Sequence, residues 1–224
     1  MKNLKNLSRR KKTVLAILVS LFLLCISSLI YILVIKPSQN IEDSEKESIV
    51  SIQPYEVVTY STDKPDEKEP EDFEVPDDIP KSINMRSINT KGYIQQVGID
   101  QDDNIAVPSN VRMAGWYINS SKPGEVGLSI ITGHRDGVMK KGIFRYLGDL
   151  KEGDRFEVEY GDGSLRYFKV IDVKEVSLDE AFDLMYEKRE SIESQLNLIT
   201  CSGTYNKEDQ SYDQRTIVIS EKTQ

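Results

Sequence analysis

Residues 195–203 read Gln195-Leu196-Asn197-Leu198-Ile199-Thr200-Cys201-Ser202-Gly203. Apolar and β-branched side chains run into a Ser-Gly pair, the pattern of a short strand that stops at a turn. Successive side chains on a strand point to opposite faces, so Leu196, Leu198 and Thr200 share one side while Asn197, Ile199 and Cys201 share the other. Cys201 stands at the strand's mouth, where a buried scaffold gives way to an exposed loop. The scaffold fixes the backbone there and the loop admits substrate, which suits a reactive group. The opposing reading makes Cys201 a small buried hydrophobe.

The other cysteine bears on that choice. The 224-residue chain, long enough for one or two domains, has two cysteines and one histidine. Cys25 lies in an apolar run near the N-terminus, far from Cys201. With that run in a bilayer the two thiols cannot meet, and an exported domain keeps one unpaired thiol, either for intermolecular pairing or as a free reactive group. One Cys and one His cannot supply the four ligands of a structural zinc.

Residues 13–35, TVLAILVSLFLLCISSLIYILVI, carry no charged side chain. As a helix they reach ~34 Å, enough for a hydrocarbon core of about 30 Å. Lys2, Lys5, Arg9, Arg10, Lys11 and Lys12 precede them within residues 1–12, with no acidic residue among them. That asymmetry predicts a cytoplasmic N-terminal tail and an extracellular remainder. A cleaved signal peptide has a shorter apolar region and a small-residue cleavage site, and Lys36-Pro37-Ser38 offers none. The run therefore reads as a retained single-pass anchor in the cell membrane. Setting the six basic residues aside leaves 23 basic against 37 acidic, a net of −14. An acidic remainder lacks the basic stripe that nucleic acid requires.

Residues 36–81 are rich in Pro, Glu and Asp. Proline and like-charge repulsion predict a disordered, extended spacer there, with an isolated short strand possible at 49–52. From residue 82 to 224 the pattern is strand-rich, with candidate strands at 83–85, 93–99, 111–117, 127–133, 155–160, 165–171, 195–200 and 216–220. Gly161-Asp162-Gly163 marks a tight hairpin. Helical spacing covers 179–195, with Ala181, Phe182, Met185 and Tyr186 as its apolar stripe. Many short strands and few helices predict a mostly β fold closed into a barrel of about eight strands, which also removes exposed edges.

Three chemically capable residues fall at strand–loop junctions. His134 follows strand 127–133, Cys201 ends strand 195–200, and Arg215 opens strand 216–220 after a polar loop over 202–214. If the last two strands are antiparallel neighbours, Cys201 and Arg215 share one end of the sheet. A thiol needs a proton acceptor or a positive neighbour to become the nucleophilic thiolate, and His134 is the one histidine available. Arg215 offers a fixed fork of donors for an oxyanion or carbonyl. Taken singly, each has a plainer reading: a surface or capping histidine, and a solvated edge arginine. Trp116 and Tyr117 read as core residues. Asp136 reads as a turn residue or, alternatively, as a group that orients the imidazole. Asp102-Asp103 reads as a solvated turn.

Ile131-Thr132-Gly133-His134-Arg135-Asp136, Asn197-Leu198-Ile199-Thr200-Cys201 and Arg215-Thr216-Ile217-Val218-Ile219 resemble, in order, the His, TLxTC and Arg motifs of sortases. These are membrane-anchored cysteine transpeptidases of mostly Gram-positive cell surfaces. The resemblance spans about residues 83–221, helped by Phe144, Leu147, Leu150 and Gly153-Asp154. Gly115-Trp116-Tyr117 and Pro123-Gly124-Glu125 are most similar to the class D, E and F branches. Asn197 departs from the usual motif, which has Thr there. The resemblance implies a catalytic sortase-like β-barrel over residues 82–224. It implies that Cys201 attacks the threonine carbonyl of an LPxTG-like sorting signal and that His134 moves the proton. Arg215 would hold the peptide or oxyanion, and Thr200 would help position the substrate backbone. The partners implied are surface proteins bearing that signal and an amine from a peptidoglycan precursor or a pilin lysine. No cofactor and no metal are implied.

Papain-like peptidases place the Cys before the His and on a helix, the reverse of this chain. L,D-transpeptidases hold the two within one short motif, whereas residues 134 and 201 are 67 positions apart. The remaining alternative is a non-catalytic, membrane-tethered extracellular β module with a structural cysteine.

Overall fold

The computed structural model describes residues 56–62, 64–208 and 210–224. The basic tail (1–12), the apolar span (13–35) and the spacer as far as residue 55, with the possible strand at 49–52, lie outside the described residues. Among the described residues no helix is long and apolar enough to cross a membrane.

Eight strands form the closed barrel expected from the sequence. They are β1 (Pro80–Met85), β2 (Thr90–Val97), β3 (Ala114–Tyr117), β4 (Gly127–Gly133), β5 (Arg155–Tyr160), β6 (Leu165–Ser177), β7 (Ser194–Asn206) and β8 (Ser211–Thr223). One α-helix, α1 (Leu178–Tyr186), joins β6 to β7. Around the barrel the order is β1-β2-β3-β4-β7-β8-β6-β5, and β5 pairs with β1 to close it. Two seams, β2–β3 and β4–β7, are parallel, and the others are antiparallel.

The local reasons follow the sequence pattern. In β5, Phe156, Val158 and Tyr160 are buried while Arg155, Glu157 and Glu159 face outward. The turn into β6 uses Gly163 at φ 80°, a conformation that favours glycine, and Tyr160 accepts the Gly163 N–H at 3.0 Å. The interior core includes Ile83, Met85, Trp116, Phe144, Phe156, Phe168, Leu196, Leu198 and Val218. Trp116 is buried, as expected, and its indole N–H donates to the Ser121 carbonyl at 3.1 Å. A second cluster lies outside the wall, where Ala181 and Leu184 of α1 and Ile192 cover Ile130, Ile199, Ile217 and Ile219.

Three expectations change. First, the chain between residues 56 and 79 is not a free spacer. Val58 is buried and pairs in parallel with Val97, Pro65 is buried, and Phe73 is buried and stacks on Tyr93 at 5.2 Å. Three apolar anchors and backbone pairing outweigh the acidic composition between them. Among the described residues, 56–79 belong to the same compact unit as the barrel. Second, the 202–214 loop is largely strand. β7 and β8 continue as a ribbon past a bulge after Ser202, with Gly203 at φ 76°, held by a Tyr205–Tyr212 ring pair at 5.1 Å. Arg215 therefore sits inside β8 rather than at its start. Third, α1 ends at Tyr186, and its buried side chains are Ala181 and Leu184, whereas Phe182 is 64% exposed. Ser177 and Glu180 form a capping box that fixes the helix start one residue before the expected position.

Candidate active site

β7 is the middle strand of the site. Its parallel register with β4 runs from Gly127↔Ser194 to Thr132↔Ile199, so Gly133 lies beside Thr200 and His134 follows just as Cys201 does. Its antiparallel register with β8 makes Cys201 and Arg215 direct partners. Directly opposed residues project from the same face of a sheet with Cβ atoms about 4.5–5.5 Å apart. Cys201 and Arg215 thus stand side by side on β7 and β8, and His134 stands one residue past the end of β4, the strand on the other side of β7, so the thiol is central at this end of the barrel. Strands in a sheet lie about 4.8 Å apart, so one residue per strand suffices to assemble the trio. Cys201 is a free, half-buried cysteine, and its side chain shares the outer face with Ile199.

His134 is half-buried at the start of a tight hairpin. Phe144 N–H donates to the His134 carbonyl at 3.0 Å, and Gly142 N–H to the Arg135 carbonyl at 2.9 Å. A side chain at residue 142 would put Cβ 2.1 Å from the His134 carbonyl oxygen, so the hairpin closes only with glycine there. The imidazole Nε2 lies 2.8 Å from the Pro108 carbonyl oxygen. A carbonyl only accepts, so Nε2 carries the proton and Nδ1 of the neutral ring carries the lone pair. Desolvation lowers the His134 pKa below its ordinary value, partly opposed by the Pro108 hydrogen bond. At neutral pH the ring is neutral, able to take a proton at Nδ1.

Arg215 folds its Nη1 back onto the Tyr212 and Gln214 carbonyls at 3.0 and 2.8 Å. Nη1 makes both bonds, which among the described residues leaves the other arm of the fork for an incoming oxygen. Thr200 is buried on the opposite face from Cys201, and its hydroxyl donates to the Gly133 carbonyl at 2.8 Å. It stitches β4 to β7 one residue behind His134 and Cys201. Asn197, the departure from the family motif, is fully buried. Its amide donates to the Met185 carbonyl at 3.0 Å and accepts from Gln195 at 2.9 Å, which ties the end of α1 to β7.

A polar cluster beside the trio was not anticipated. Asp136 accepts from the Tyr212 hydroxyl at 2.8 Å and is ion-paired with Arg145, while Arg135 lies with its guanidinium carbon 4.9 Å from the Tyr212 ring centre. Arg135 also donates to the Gly203 carbonyl at 3.4 Å. Asp136 thus serves Tyr212, Arg145 and, at 3.5 Å, the Arg135 guanidinium, and through Tyr212 it braces the carbonyl that holds Arg215. Residues 135 and 136 are visible next to His134, but their ribbon partners Gly203 and Tyr212 lie 68 and 76 positions away and carry no local signal. Asp102 and Asp103 are exposed in a turn that Asp100 organises by accepting the Asp102 and Asn104 N–H groups, both at 3.0 Å.

A Sortase domain family model matches residues 83–223. The structure is similar to Group B Streptococcus Pilus Island 1 sortase C2, with a TM-score of 0.50, 19% identity, and coverage of 70% of this chain and 82% of that one. It is also similar to sortase A from Corynebacterium diphtheriae (TM-score 0.49, 21% identity), covering 65% of this chain and 61% of the length of that one. A third likeness is to a Clostridium perfringens sortase D5 transpeptidase (TM-score 0.48, 19% identity, coverage of 65% and 79%). A search of curated proteins yields no match. The family match covers well over half the chain and takes in all three motifs on the adjoining strands. The chain belongs to the sortase family, whose members are cysteine transpeptidases.

Proposed function

We propose that this chain is a membrane-anchored transpeptidase that cuts an LPxTG-like sorting signal and joins the cut protein to a cell-wall or pilin amine. The observation that carries the reading is the register of three strands, which pairs Cys201 with Arg215 and brings His134 out just past the end of the next strand over. His134 Nδ1 takes the thiol proton, and the Cys201 sulfur attacks the threonine carbonyl of the signal. The tetrahedral oxyanion is met by the free arm of the Arg215 fork. The C–N bond breaks as the His134 imidazolium gives its proton to the departing amine, leaving a thioester on Cys201. A second amine attacks the thioester, His134 Nδ1 takes that amine's proton, and the thiolate leaves. Covalent catalysis so divides one hard amide exchange into two easier acyl transfers. Thr200 contributes by tying β7 to β4 directly behind the thiol and the imidazole.

The uncharged span at 13–35 and the basic residues before it support an anchor with its N-terminus inside and the barrel outside. A tether on the outer surface holds exported substrates and wall precursors near one another, raising their effective concentration. The test uses the full chain in detergent with a library of LPxTG-like peptides and several amines. An intact-mass thioester adduct and an amide product, both absent in Cys201→Ala, are expected. No adduct with any peptide, together with a thiol inert to a methanethiosulfonate reagent, would leave a structural cysteine as the better account.

A further inference from the structure

The segment 64–69 runs along the outside of the barrel and touches both elements that hold the imidazole. Its backbone pairs in parallel with residues 109–111: Asp66 N–H donates to Ser109 O at 2.8 Å, and Val111 N–H donates to Asp66 O at 2.8 Å. The Asn110 amide donates to the Lys68 carbonyl at 3.0 Å. This stretch follows directly on Pro108, whose carbonyl receives the His134 ring. The same segment also reaches the hairpin that starts at His134. Glu67 Oε1 accepts the N–H groups of Met139 and Lys140 at 2.8 and 3.3 Å, at the tip where Gly137 N–H donates to Lys140 O at 2.7 Å. A Cβ at residue 137 would lie 2.3 Å from Glu67 Oε1, so any larger residue there pushes the carboxylate aside. Ile143 N–H, on the return arm of the hairpin, donates to Val111 O at 2.9 Å and closes the circuit.

We infer that Glu67 is a latch, a positioning residue that holds the hairpin and so sets the His134 imidazole for proton transfer to and from Cys201. A carboxylate taking two consecutive backbone N–H groups makes charge-assisted hydrogen bonds, roughly twice as strong as neutral ones. The inference deepens the proposed function and rests on it. It makes the 56–79 arm part of the catalytic device, because the element that braces His134 lies N-terminal to the whole barrel. Glu67 touches neither substrate nor thiol, so its loss acts on the rate of chemistry rather than on peptide binding.

The test compares wild type, Glu67→Ala, Glu67→Gln and Gly137→Ala in the full chain. Glu67→Ala is expected to lower kcat about 10-fold with KM within about twofold. It is also expected to speed amide exchange at Met139 and Lys140 about 10-fold. Glu67→Gln keeps an acceptor oxygen and should recover most of both. Gly137→Ala displaces the carboxylate and should match Glu67→Ala, with the double variant no worse than either single. Unchanged exchange at residues 139 and 140 in Glu67→Ala, or an effect confined to KM, overturns the latch. A wild-type chain that forms no thioester overturns the transpeptidase reading instead, and the exchange measurement then still decides whether Glu67 holds the hairpin.

Discussion

The two faces of β7 are built from alternate residues of one strand, and they answer to different constraints. Leu196 and Leu198 point into the barrel and are fully buried, with Thr200 at their end stitched to β4. Asn197 and Ile199 point outward and are buried as well, under α1 and its connection to β7. Only at Cys201 does the outer face open. A strand covered on both sides buries even its polar residues, here Gln195, Asn197 and Thr200, each hydrogen-bonded, so the first uncovered side chain at its end stands out. The inner face specifies the barrel, and the last outer position spends that rigidity on chemistry.

The sharpest break of this comparison is a pair of substitutions three residues apart. Cys201→Ala should reduce acyl transfer by at least about 10³-fold while leaving the unfolding midpoint near that of wild type. Leu198→Ala should do the reverse, costing about 2–5 kcal/mol of stability, with the folded fraction retaining its turnover number. Unfolding by the first, or unchanged stability in the second, would abolish the division between faces. Next in size, Arg215→Lys should lower kcat/KM about 10²-fold, since a point charge cannot both cap the Tyr212 and Gln214 carbonyls and present a planar arm. Near-normal turnover of that variant would remove Arg215 from the mechanism. Thr200→Val tests the seam between the faces: the Gly133 carbonyl loses its donor, and denaturant unfolding should show a loss of about 1–3 kcal/mol.

The smallest effect is electrostatic. Burial lowers the His134 pKa, so the folded protein binds its proton less readily than the unfolded chain. Stability is then complete above the ordinary histidine range and declines as pH falls through it toward the lowered folded value. Unfolding curves between pH 7.5 and 5 should slope more steeply for wild type than for His134→Gln. Equal slopes would show that the ring is better solvated than its surroundings imply.

The barrel was legible wherever local pattern and tertiary burial agree. β4 and β5 fall on the expected residues because their alternation and flanking glycines are local signals. The ends of β6, β7 and β8 were not legible. Residues such as Glu175, Tyr205 and Asp213 look like loop on their own and become strand only through each other, as when Asp213 accepts the Thr204 N–H at 2.7 Å. The arm at 56–79 departs from its composition for a related reason. Its anchors Val58, Pro65 and Phe73 are widely spaced among acidic residues, so composition outvoted three positions that carry the packing. For the site, the thiol, imidazole and guanidinium were visible as residue types at strand ends. The inward turn of Thr200 follows from the pleat of residues 195–201. The Asp136–Tyr212 cluster and Glu67 depend on contacts 76 and 72 positions apart, which no window of sequence reports.

β8 is the final strand of the barrel, yet it lies between β7 and β6 rather than at a margin. Until it arrives, β6 and β7 are two thirteen-residue borders with unsatisfied backbone groups. The thiol meanwhile has no guanidinium beside it. A chain emerging N-terminus first would stay chemically silent through most of its synthesis. It would become competent in one zippering step, as the last strand slots home and completes wall and catalyst together.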